Sequence, residues 1–265
     1  MKLSILLLFA LLVCSQALCG QILNIDRNIT NDSVHPRRPK GLIGLSFSAD
    51  KQKKNLIDGS GSADFSFFWP KNIVSVLILR TDLTWNGREV IQNSGFFHFR
   101  TRDNDLRKVF PELFSQYQWN GALGMEQRVL AGGNLRWRAI HKKDNDLFVA
   151  LGVMFEAERW NYRGVKDASV YFGFPPERRE LLKVNQYIKW GWKISPRLDF
   201  VLSNFYQARP TQLLKPRLAT QGAFHFSVMK GLGFSAQYES LYDFAPVVPI
   251  DKYYYSVKGA INFSF

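Results

Sequence analysis

The chain has 265 residues and a formal net charge of +13; it is 46% hydrophobic and 22% charged, with 22 Phe, 10 Tyr and 7 Trp. So many aromatics exclude a disordered chain, which lacks such groups to bury. The one long apolar run lies near residue 1, which excludes a bundle of transmembrane helices. The basic residues are dispersed, with short clusters such as Arg37-Arg38 and Lys53-Lys54, and no recognition-helix, RNA-sheet or zinc-finger pattern accompanies them. Nucleic acid is therefore not an expected partner.

Met1-Lys2, the apolar stretch Leu3 to Val13 and the small residues Ser15, Ala17, Cys19 and Gly20 predict a cleaved secretory signal over 1–20, too short to span a bilayer. Gln16-Ala17-Leu18 before Cys19 fits a lipoprotein acylation site badly. Both cysteines, Cys14 and Cys19, fall inside this segment, so no disulfide framework is expected after cleavage. Residues 21–40 are polar, hold Pro36 and Pro39, and predict an extended periplasmic lead-in.

From Gly41 onward the texture is alternation with period two, broken by turn residues. Over Ile73 to Trp85, Leu77, Leu79, Leu83 and Trp85 share one parity while Arg80, Asp82 and Thr84 take the other. Asn86-Gly87 then predicts a two-residue hairpin turn. On the return strand, Phe97 and Phe99 oppose His98, Arg100 and Arg102. Over Met125 to Ile140, Val129, Leu135 and Trp137 oppose Arg128, Asn134, Arg136 and Arg138. Over Leu147 to Trp160, Leu151, Val153 and Phe155 oppose Glu156 and Glu158. Twelve strands are expected, at 41–50, 59–69, 73–85, 88–102, 110–119, 125–140, 147–160, 180–194, 198–208, 218–229, 232–242 and 253–265.

These runs exceed the roughly five or six residues usual in soluble sheets and match the roughly nine to eleven of a tilted membrane strand. Their polar parity carries full charges, which a soluble barrel turns outward and a membrane barrel turns into its lumen. The fold class expected for 41–265 is thus all-β: a transmembrane up-and-down antiparallel β-barrel of about twelve strands in a Gram-negative outer membrane, both termini periplasmic. With the first strand running upward, the short links at 70–72, 195–197 and 230–231 fall on the periplasmic side. The longer ones at 161–179, 209–217 and 243–252 fall on the outer side. Trp69, Trp85, Trp119, Trp160, Trp190 and Tyr242 are candidates for the interfacial aromatic girdles.

The last strand places Tyr253, Tyr255, Val257, Ile261, Phe263 and Phe265 on one face. An alternating aromatic strand ending in Phe is similar to the terminal signal read by outer-membrane barrel assembly machinery, and Tyr255, Ile261, Phe263 and Phe265 are its expected carriers. The inward parity predicts a lumen charge network of Arg100, Glu112, Gln116, Arg128, Arg136, Arg138, Glu156 and Glu158. Arg128 and Arg136 stand between Glu112 on one side and Glu156 on the other. Such a network either replaces an apolar core in a closed barrel or makes a path for small anionic solutes. Gly132, Gly133 and Gly152 are expected to leave room for long arginines or to bend the strands.

An outer-membrane lipid hydrolase is the alternative from another class, with His98 (beside Ser94) or His225 (beside Ser227) as base. No phospholipase-type motif, metal-ligand spacing, phosphate loop or dinucleotide signature is present, so a non-enzymatic protein without metal or cofactor is expected. The 161–179 segment, with Arg163, Lys166, Arg178 and Arg179, is expected to contact a surface ligand or anionic outer-leaflet lipid.

Through Trp85-Asn86-Gly87, Phe97-His98-Phe99-Arg100, Glu112-Leu113-Phe114-Ser115-Gln116-Tyr117-Gln118, Gln127-Arg128-Val129-Leu130-Ala131-Gly132-Gly133-Asn134-Leu135-Arg136 and Gly152-Val153-Met154-Phe155-Glu156, the chain resembles the salt-induced outer-membrane protein family. The resemblance covers most of the expected mature chain and is strongest from about residue 85 to 160; Gly133-Asn134 departs from that family's Gly–x–Gly pair before the arginine. It implies an outer-membrane β-barrel of a bacterial group whose function is unassigned, and it implies no catalytic residue. The protein expected from all this is porin-like in architecture, with either a structural role or a narrow anion-biased pore.

Overall fold

The structure is a computed structural model, and it describes residues 39–51, 55–103, 108–229 and 232–263. The expected signal segment, nearly all of the lead-in, the 230–231 turn and Phe265 lie outside the described residues. Twelve strands run in chain order: β1 (Lys40–Lys51), β2 (Asn55–Trp69), β3 (Ile73–Asn86), β4 (Glu89–Asp103), β5 (Val109–Asn120), β6 (Met125–Lys142), β7 (Asn145–Trp160), β8 (Glu177–Ser195), β9 (Leu198–Ala208), β10 (Arg217–Met229), β11 (Leu232–Asp243) and β12 (Tyr253–Phe263). Each pairs antiparallel with its sequence neighbours in one up-and-down sheet.

The expected boundaries hold to within a few residues, and the differences are informative. The first hairpin turn read from sequence is displaced by one residue. Asn86 pairs with Glu89, so the two-residue turn is Gly87-Arg88 rather than Asn86-Gly87. Gly87 takes the positive φ of 67° that a tight hairpin needs. A register shift between Thr84 and Trp85 absorbs the extra residue. β8 is also longer than expected and begins at Glu177. It takes Arg178 and Arg179 out of the long outer loop and into the sheet.

The sheet curls, because side chains of non-adjacent strands meet across its concave face. The Tyr187 hydroxyl of β8 donates to Glu112 of β5 at 3.0 Å, Arg128 of β6 to Gln207 of β9 at 3.0 Å, and Arg217 of β10 to Glu156 of β7 at 2.8 Å. Closure is where the structure departs from the expected barrel: among the described residues no ladder joins β1 to β12. The β1 side of this seam is short of anchors. β1 and β2 are rich in Gly and Ser (Gly41, Gly44, Ser46, Ser48; Gly59, Ser60, Gly61, Ser62), whose small side chains specify register weakly.

The two faces divide as the alternation predicts. Phe97, Leu113, Val129, Leu135, Trp137, Leu151, Val153, Phe155 and Leu182 are exposed on the convex face. The polar parity is buried on the concave face, down to Arg136 and Glu156 at 0%. The concave face is not wholly polar, however. Val74, Val76 and Ile78 of β3 pack with Phe96 of β4 and Phe68 of β2. Ala150, Tyr187 and Phe205 form a second apolar contact.

The glycines of β6 and β7 serve the backbone rather than the arginines. A Cβ on Gly152 would stand 2.0 Å from the Gly133 carbonyl oxygen and 2.7 Å from the Asn134 Cα; one on Gly132 would stand 2.5 Å from the Val153 carbonyl oxygen. The expected room for arginines is therefore not their use. They permit β6 and β7 to approach closely where the sheet bends.

Candidate functional site

The concave face of the sheet holds two charged clusters joined by amides. The first lies toward the end with the long loops. Glu156 of β7 accepts from Arg128 Nε at 2.7 Å and Arg217 Nη1 at 2.8 Å, and forms an ion pair with Lys183. Glu158, two residues along the same face, accepts from the same Arg217 Nη1 at 2.8 Å and from Arg179 Nη2 at 2.9 Å, and lies 3.3 Å from Arg128 Nε. Arg217 completes its fork on Asp243, with Nε at 2.8 Å and Nη2 at 2.6 Å from one carboxylate oxygen. Four cations thus surround two carboxylates set two residues apart, a spacing that a strand provides by turning alternate residues to one face.

The second cluster is centred on Glu112 of β5. Its carboxylate accepts from the Tyr187 hydroxyl at 3.0 Å and from Asn134 Nδ2 at 3.1 Å; Arg100 Nη1 and Arg136 Nη1 stand at 3.5 Å. Arg136 is wholly buried, and much of its environment is aromatic: its guanidinium carbon lies 4.0 Å from the centre of the Phe148 ring and 5.6 Å from that of Phe110. The ring faces offset part of the cost of holding this charge away from water.

Between the clusters runs a chain of amides with one direction. Arg128 donates to the Gln207 oxygen at 3.0 Å, Gln207 to the Asn185 oxygen at 3.3 Å, Asn185 to the Asn134 oxygen at 3.0 Å, and Asn134 to Glu112 at 3.1 Å. A second branch joins His98 to the first cluster. His98 Nδ1 lies 3.1 Å from the Gln116 side-chain oxygen; Gln116 donates to Gln118, and Gln118 accepts from Arg128 at 3.3 Å.

Of the residues expected in the network, Arg100, Glu112, Gln116, Arg128, Arg136, Glu156 and Glu158 are all buried in it. Arg128 meets Glu156 and Arg136 meets Glu112, the pairing the strand order implies. Arg138 is only half-buried, its guanidinium lies 5.2 Å from the Phe148 ring, and among the described residues it pairs with no carboxylate. Sequence reasoning missed Lys183, Tyr187, Asn185, Gln207, Arg217 and Asp243. The first three share a parity on β8 and were legible there. Arg217 and Asp243 sit one residue outside the strand limits expected for β10 and β11, and so were assigned to loops. Arg179, expected in the loop, lies in β8 and its guanidinium bonds Glu158 on the concave face.

The terminal-signal residues are partly visible. Tyr253, Tyr255 and Val257 are exposed on the convex face; Ile261 and Phe263 belong to β12, and Phe265 lies outside the described residues. Of the girdle candidates, Trp69 is exposed but Trp160 is not. Trp160 is buried at the long-loop end with Leu123, Met125, Val165 and Val248. In the loop above, Tyr162 and Tyr171 stack with ring centres 4.5 Å apart, and the Tyr162 hydroxyl donates to Glu177 at 2.9 Å. That bond holds the phenol above its ordinary pKa.

One cavity of about 40 Å³ lies between the first cluster and the long loops, and a second of about 20 Å³ borders Glu112, Tyr187 and Leu130. Such volumes hold a few waters at most. No protein-family model matches the chain, and no curated protein matches it.

Proposed function

We propose that this chain is an outer-membrane β-barrel protein of a Gram-negative bacterium, with both termini periplasmic, a structural role and no catalytic activity. The observation that carries this reading is the inversion of the two faces. Leu113, Leu135 and Leu151 are 61%, 63% and 58% exposed, whereas Glu112, Arg136 and Glu156 are 2%, 0% and 0% exposed. A water-soluble sheet rarely leaves so broad an apolar face uncovered, and lipid accounts for it while the paired charges do the work of a core. The partners that go with this reading are outer-membrane lipid, anionic lipid of the outer leaflet at the basic outer loops, and the barrel assembly machinery acting on the terminal strand. The resemblance to the salt-induced outer-membrane protein family points the same way.

A narrow anion-biased pore is the second reading. Among the described residues seven buried cations (Arg100, Arg102, Arg128, Arg136, Lys183, Lys189 and Arg217) face three buried carboxylates. The filled lumen favours the structural role. Conductance in planar bilayers separates the two: we expect no unitary steps at any salt concentration, and anion-selective steps would replace the structural role by the pore. The hydrolase alternative requires a free base. His98 is committed to Gln116 inside the packed lumen, and lipid hydrolysis that disappears in His98→Ala or His225→Ala would overturn the non-catalytic reading.

A further inference from the structure

The long-loop end carries a feature that the charge network does not use. Residues 244–252 leave β11 and return to β12 over the cavity of about 40 Å³, and Pro246 and Ile250 form part of its wall. The segment is pinned at its base, where Asp243 N donates to the Lys252 oxygen at 2.8 Å. Pro246 and Pro249 stiffen its middle. Beyond the base Val248 is buried against Leu123, Met125, Trp160 and Val165, Val247 and Ile250 pack against the same cluster, and Phe244 N donates to the Pro216 oxygen at 3.1 Å. Arg179 adds a bond to the Ala245 oxygen at 2.8 Å, and Lys166 pairs with Asp251 at 3.4 Å in an exposed, hence weak, contact. A stiff segment with a narrow base, seated on a single apolar cluster, is built to swing as a unit.

The chamber beneath has a polar floor whose groups are already paired. Arg128, Arg217, Gln118 and Gln207 bond to Glu156, Glu158, Asp243 and one another. Its walls are mainly apolar, with Met125, Trp160, Phe205 and Leu241 among them, while Asp251 and Lys252 line it at the foot of the 244–252 segment. Paired polar groups offer little to a charged ligand, and apolar walls reward an apolar one. We propose that 244–252 is a hinged lid and that the chamber takes up a small, mainly apolar molecule from the long-loop end. The closed chamber is too small for such a molecule, so entry requires the lid to move. The proposal concerns this end of the sheet alone and does not depend on whether the sheet spans a membrane.

The test introduces a thiol at Ala219, which lines the chamber, in the chain with Cys14 and Cys19 replaced by alanine. The protein, folded in detergent micelles, is treated with benzyl methanethiosulfonate and with its cationic trimethylammonium-ethyl and anionic sulfonatoethyl counterparts. Rates are followed by mass and normalised to Thr211→Cys in an exposed loop. The apolar reagent should react at least about tenfold faster at Ala219→Cys than either charged one. Val248→Ser should raise that rate at least about tenfold, a factor equal to about 1.4 kcal/mol of lost burial. Equal rates for charged and apolar reagents would overturn the apolar chamber. An unchanged rate in Val248→Ser, or no reaction in it while the heat-modifiable folded band persists on gels, would overturn the lid.

Discussion

Replacing Glu156 by Gln probes whether the charge network acts as the core of this protein. Glu156 is fully buried, accepts from Arg128 at 2.7 Å and Arg217 at 2.8 Å, and pairs with Lys183. Glutamine keeps the shape and one acceptor oxygen but removes the charge, and its amide N–H groups then face other donors. Arg128, Arg217 and Lys183 are then left to share Glu158 and Asp243 with Arg179. Breaking one buried ion pair by deleting a partner costs about 3–5 kcal/mol, so a loss near the top of that range is expected, read from urea unfolding in lipid vesicles by tryptophan fluorescence. Glu180→Gln, an exposed site on the same sheet, should change stability by less than about 0.5 kcal/mol. The double variant Glu156→Gln/Lys183→Met, which removes one stranded cation, should recover at least about 1 kcal/mol relative to the single variant. A loss below about 1 kcal/mol for Glu156→Gln, or strict additivity in the double variant, would show that the charges are incidental to stability.

Three further outcomes are expected, two from the geometry and one from the sequence of the terminal strand. Leu151→Arg places a charge on the exposed convex face and should cost about 2–4 kcal/mol in vesicles if that face meets lipid; a cost within experimental error would argue for water there. Gly152→Ala drives a methyl to 2.0 Å from the Gly133 oxygen and should destabilise the β6–β7 pairing by about 1–3 kcal/mol, measurable in the same unfolding assay. Deleting Phe265 should slow outer-membrane assembly in cells, followed by the heat-modifiable gel shift, and unimpaired assembly would remove the terminal-strand argument.

The strands were legible because period two is a strong signal over runs this long. On β4, Phe97 and Phe99 are on the convex face and His98, Arg100 and Arg102 are buried, as their parity requires. The pairing of Arg128 with Glu156 was legible for the same reason, since sequential strands in an up-and-down sheet are neighbours. Contacts across the lumen were not. Tyr187 meets Glu112 through curvature, which alternation does not encode. Boundaries limited the rest. Arg217 and Asp243 bind each other one residue beyond the expected ends of their strands, because their own ion pair extends the β10–β11 ladder past its apolar part. Trp160 shows a different limit: an aromatic at a strand end reads alike whether it meets lipid headgroups or a lid, and only the fold of the loops decides.

The amide chain from Arg128 to Glu112 has a bearing on protons as well as on larger ions. Gln207, Asn185 and Asn134 each donate forward and accept from behind, yet none can give up a proton and take another as an imidazole or a hydroxyl does. Reversing the chain requires every amide to turn over together, against fixed charges at both ends. Such a chain is an insulator: it ties the two charged clusters together mechanically while offering no hopping route along its own length.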